Sequence, residues 1–206
     1  MRTRSELKAT ALAKCRVNWT PLVLSVLVYF AVTAATAATT FAAGLVQIFL
    51  LAPIEVALIN CFLAYDRDQT NTGLIEGMFK RAFDKNYLHK VLGMFLVTLF
   101  VALWSLLLII PGLIKAYAYA MTPFILEENP DMPAYDAIKY SEKIMMGHKW
   151  DFFILNLSFI GWAILCCFTF GIGYLWLIPY IQLAQCEFYE DLKADQAGKP
   201  LEGTVN

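Results

Sequence analysis

At 206 residues, 59% apolar, 16% charged and with a mean hydropathy of +0.57, the chain lies well outside the composition of soluble domains, which run about 45–50% apolar and about 25% charged. Its length gives one compact unit with several membrane spans and no separate soluble domain. The net charge of −1 says little by itself, and with no basic stripe nucleic-acid binding is excluded.

The N-terminal "SELKATALAKC" carries Leu7, Ala11, Leu12 and Cys15 on one side and predicts an amphipathic helix over 4–16. An uncharged run then begins near Pro21, and it reads as a retained first span rather than a cleaved leader. Three apolar blocks follow, 20–65, 91–126 and 152–186. Each is about twice the roughly 20 residues that a helix needs to cross a bilayer, so each predicts a helical hairpin. The hairpins are placed at 20–65, 88–127 and 150–192, with outer turns at Gly44, at Pro111-Gly112 and at "FGIG", 170–173. Between them, "GLIEGMFKRAF" and the segment around Ala134, Ile138, Ser141 and Met145 show helical spacing. They predict interfacial helices over 73–84 and 133–147, lying at the headgroups with the apolar face down. Residues 193–206 form a cytoplasmic tail.

Fifteen of the sixteen Lys and Arg residues fall in four segments, 1–19, 66–90, 139–149 and after 190, and none in the three outer turns. Positive charge stays cytoplasmic. The fold expected is therefore an all-α, polytopic bundle of six transmembrane helices in a plasma (inner) membrane, with both termini cytoplasmic.

The exceptional cation is Lys115, inside "LLLIIPGLIKAYAYAMTP". The second arm of each hairpin holds a proline followed within a turn by a polar residue: Pro53 and Glu55, Pro111 and Lys115, Pro179 and Gln182. The three prolines are expected to break their helices. Glu55, Lys115 and Gln182 lie eleven, twelve and eight residues before Asp66, Glu127 and Glu190, about 12–18 Å deep. Three readings of Lys115 stand open: snorkelling to the outer headgroups, a buried ion pair with Glu55, or a direct role on a ligand or proton path. Together the three polar residues form a candidate intramembrane site.

Other signals are weaker. The five cysteines have no metal or disulfide spacing and read as buried apolar residues. His89 and His148, each beside a lysine, read as interfacial anchors, and Trp104, Trp162 and Trp176 as an aromatic belt. The acidic stretches "EENPDMPAYD" and "EFYEDLKAD" read as solvated. No hydrolase elbow, phosphate loop or dinucleotide fingerprint occurs. Hence no catalytic residue, no metal and no cofactor is expected.

Over 103–180 the chain resembles the bacterial integral membrane proteins grouped as domain-of-unknown-function family nine-seven-five. "IKAYAYAMTP", "NPDMPAYDAI", "MMGHKW", "LSFIGW" and "TFGIGYLWLIPY" carry the likeness. More distantly, it is similar to the membrane portion of some glycerophosphodiester phosphodiesterases, without their catalytic barrel. The resemblance implies a bacterial plasma-membrane protein and transfers no functional residue. The functional expectation is a non-enzymatic scaffold or accessory subunit, in contact with the lipid bilayer and an unidentified cytoplasmic protein partner. The alternative is a small transporter or lipid-handling protein with a polar path through proline-interrupted helices. Oligomeric state is left open.

Overall fold

Helix α1 (Arg4–Val17) starts where Thr3 and Glu6 close a capping box, the Thr3 N–H donating to Glu6 Oε2 at 2.6 Å. The pair satisfies two of the donors that a helix start leaves open. The computed structural model of the chain describes residues 2–37, 47–68, 73–107, 109–169 and 171–197, and among them regular structure is helical, with no strand. Extended backbone at Asn18 ends α1, and the chain turns by 96° into α2 (Trp19–Ala37).

A π-helical turn (Gln47–Leu51) leads into α3 (Ala52–Arg67). The run from Phe49 to Arg67 is long and apolar enough to cross a membrane, and 72% of it is buried inside the protein, against 17% and 22% for the two other such runs, Tyr87–Leu106 and Lys149–Phe168. A helix apolar on every face belongs at a centre. Accordingly α3 is the column on which the others pack.

Helix α4 (Leu74–Ala82) buries Leu74, Met78 and Ala82. Helices α5 (Tyr87–Leu107) and α6 (Ile109–Ala118) run back along one another, with Trp104 below Lys115 and Phe100 beside Tyr119. After a break at 119–121 comes α7 (Thr122–Glu128), whose Leu126 lies against Gly93. Helix α8 (Ala134–Ile144) follows, then α9 (Lys149–Leu157), α10 (Ile160–Phe168) and α11 (Tyr174–Ala197). Across the turn that includes 171–173, Ala163 meets Tyr174, Phe159 meets Tyr180 and Asn156 meets Gln185, partners that recede from the turn in step. Gly171 holds a φ of +85° in that turn, a conformation costly to any side chain with a Cβ.

Four expectations change. Pro111-Gly112 is not a turn: both residues sit in the first turns of α6, which starts at Ile109 and lies back along α5. The prolines do not break their helices. Pro111 stands in the first turns of α6, Pro179 sits inside a continuous α11, and at Pro53 the helix continues through a change from π to α winding. Third, the apolar faces of the connecting helices turn inward, since neighbouring helices offer them a dry surface. Leu7, Ala11 and Cys15 of α1 and Ala134, Ala137 and Ile144 of α8 enter the main core, while Ile138 packs with Ala118 and Tyr119 against the middle of α5. Fourth, α11 runs on to Ala197, so the first residues of the expected tail are helical. The expected turn at Gly44 lies outside the described residues.

Candidate functional site

The helix ends meet in a layer of paired charges. Asp66 closes α3, Glu127 and Glu128 close α7, and Glu187, Glu190 and Asp191 occupy the polar half of α11. At the ends of α3 and α7, carboxylates stand where the helix dipole disfavours them. Cations from other elements compensate.

Lys14 of α1 puts its ammonium 2.9 Å from Asp66 Oδ1 and 2.5 Å from Glu187 Oε1. Arg2 reaches Glu187 Oε2 at 2.6 Å and Asp191 Oδ1 at 2.7 Å. Glu187, 3% exposed, is thus clamped between two residues of the N-terminal segment. Burial works to lower the Lys14 ammonium, but its bonds to Glu187 and Asp66 outweigh it, so it titrates above its ordinary 10.5.

A second knot centres on Glu128. Arg67 donates to it and, from Nε, to Glu190 Oε1 at 2.7 Å. The Tyr189 hydroxyl donates to Glu128 Oε2 at 2.7 Å, and Lys193 lies 3.0 Å from both Glu128 oxygens. Burial alone would raise the Glu128 carboxyl; the bonds from Tyr189, Arg67 and Lys193 prevail and hold it below its ordinary 4.5. This knot forms one side of an open, polar cavity of about 660 Å³ reaching Asn129 and Tyr140.

The third knot is Lys90, only 1% exposed, with Glu127 Oε2 at 2.6 Å, Asp84 Oδ2 at 3.3 Å and the Arg81 carbonyl at 2.6 Å. Arg81 in turn donates to the Asn60 carbonyl at 2.9 Å, and the Asn60 amide donates to the Pro123 carbonyl at 3.1 Å. Four elements, α3, α4, α5 and α7, are tied through these bonds. Because removing one partner of a buried pair strands the other, each knot locks several helices at once.

Glu55, Lys115 and Gln182 are not brought together. Lys115 pairs with Glu142 of α8 at 2.5 Å and lies over the rings of Trp104 and Tyr119 at 5.3 and 5.7 Å. Glu55 makes no hydrogen bond or ion pair among the described residues, and Tyr29 is near enough to feel its charge. The Gln182 side-chain oxygen is buried without a partner there. None of the three lines a described cavity.

Sequence reasoning missed the layer by giving the acids to water. The signal that could have found it is the carboxylate at the same place in each third of the chain, in "YDR", "LEEN" and "CEFYED". His148 lies 3.7 Å from Asp151 and 3.6 Å from Asp195, and among the described residues no group of three or more His, Cys, Asp or Glu side chains is arranged to hold a metal.

Among the described residues these features define an all-helical protein with three helices long and apolar enough to span a membrane. The chain belongs to the family described as Protein of unknown function (DUF975), which matches residues 94–196. That half includes Lys115, Glu127, Glu128 and Glu187, whereas Lys14, Asp66, Arg67 and Lys90 lie before it. No curated protein and no solved structure matches the chain, and nothing in these comparisons links it to glycerophosphodiester phosphodiesterases.

Proposed function

We propose that the chain is a bacterial plasma-membrane protein with six spans in three hairpins and both termini cytoplasmic, and that it serves as a non-enzymatic scaffold or accessory subunit. The carrying observation is the ion-pair layer: Lys14, Arg67, Lys90, Arg81 and Lys193 are spent on joining helix ends. A charge placed to move a solute must be able to exchange partners. Here the partners are shared among three or more elements, which favours a rigid platform.

The six-span topology is supported by the back-to-back contacts of α5 with α6 and of α10 with α11, and by the gathering of Lys and Arg away from the turns. A transporter reading would route a solute past Glu55, Lys115 and Gln182, yet Lys115 is committed to Glu142.

The test combines two measurements. Extraction in detergent-free lipid particles followed by mass spectrometry should return a stoichiometric protein partner. Glu55→Gln and Lys115→Met should both accumulate normally and complement a deletion; loss of complementation at normal abundance would overturn the scaffold reading in favour of a polar path.

A further inference from the structure

We propose that the groove between the α1–α2 bend and the α10–α11 turn binds one phospholipid, with the phosphate on Arg16 and an acyl chain along the apolar wall. This rests on the reading of α2, α10 and the first half of α11 as bilayer-embedded.

The groove holds about 490 Å³, within the roughly 300–1,000 Å³ range of small-molecule sites. Leu12, Arg16 and Trp19 form one side; Trp162, Leu165 and Trp176 are on the other. Three of the chain's five tryptophans therefore face one cavity. Such a wall offers water almost no hydrogen-bond partners and suits an alkyl chain.

Arg16 supplies the polar end. Helix α1 and its preceding residues carry five cations, and three are engaged: Arg2 and Lys14 on carboxylates, and Lys8 on Ser158 and the Phe159 ring. Arg16 is exposed and has no hydrogen bond or ion pair among the described residues. It shares the Leu12 face, four residues on, so both point into the groove. It stands in the last turn of α1, just before the 96° turn into α2, and faces the same cavity as Leu165, Trp176 and Tyr180. A guanidinium there matches a phosphate in shape and charge. A helix of a partner protein would cover the apolar wall and leave Arg16 without an anion.

The test uses the full chain. After flotation with phosphatidylcholine vesicles, the protein is reconstituted in vesicles of equal phosphatidylcholine and phosphatidylglycerol and released into native mass spectrometry. Wild type should retain one phospholipid. Arg16→Gln should lower its occupancy about fivefold, and Leu165→Trp, a substitution at an exposed wall residue, should displace it. Arg4→Gln, which removes another exposed α1 cation lying beside a different cavity, should leave it in place. Equal retention in all four proteins, equal loss in Arg4→Gln, or a second copy of the chain in place of lipid would overturn the proposal. Failure to float would instead overturn the membrane reading, whereas flotation with no retained lipid would overturn the groove alone.

Discussion

Lys90 and Lys115 exchange the roles that their sequence settings suggest. Lys90 follows a histidine in a basic approach to an apolar run and is nonetheless 1% exposed, with three acceptors around it. Lys115 stands in an otherwise apolar stretch, yet its side chain is 23% exposed and ends on Glu142 of a helix expected at the surface. A lysine's cost is set by the partners the fold brings to its ammonium and much less by the hydropathy of its neighbours in the chain. The region around Lys90 is where several helices converge; the region around Lys115 is where one pair of helices leans on α8.

That contrast can be broken experimentally. The largest effect is expected for Lys90→Met, which takes its cation from the half-buried Glu127, leaving it Arg81 at 4.0 Å, and should cost about 3–5 kcal/mol of unfolding free energy. Adding Glu127→Gln to it should recover part of the loss. Glu187→Gln comes next: it takes one acceptor each from Lys14 and Arg2, which keep Asp66 and Asp191, and α1 should loosen on α11, read as faster amide exchange confined to residues 4–17. Gly112→Ala follows at about 1–3 kcal/mol, because its Cβ would meet the Ser105 backbone at 2.8 Å, whereas Gly161, with nothing within 4 Å, should accept alanine without loss. Lys115→Met should cost under about 1 kcal/mol, as a partly exposed pair does.

The pH dependence sharpens the same contrast. Glu128, held below 4.5, stabilises the fold above that value, and the contribution is lost as pH falls through its lowered folded-state pKa. Lys14, held above 10.5, stabilises below that value and loses its contribution as pH rises through the raised one. Through these two groups melting temperature should fall on the acid side below about pH 5 and on the alkaline side above about pH 10. In Glu128→Gln the acid limb should weaken.

Much of the helical content was legible because apolar run length and period need no partner to be read. The 3.6-residue spacing of Leu74, Met78 and Ala82 located α4. The face those residues cover was not legible: periodicity defines an apolar stripe without saying whether lipid or protein meets it. The prolines misled for a similar reason. A proline breaks a helix interior but suits a first turn, and only the true start of α6, two residues before Pro111, separates the cases. The ion-pair layer was hidden because Lys14, Asp66 and Glu187 are far apart in the chain, and surface-like composition concealed their burial.

The most direct test of the account is the unfolding free energy of Lys90→Met against that of Lys115→Met, both in the same lipid particles at pH 7. The account predicts a loss of several kcal/mol for the first and under about 1 kcal/mol for the second. A Lys115 variant as damaging as the Lys90 variant, or a harmless Lys90→Met, would contradict it.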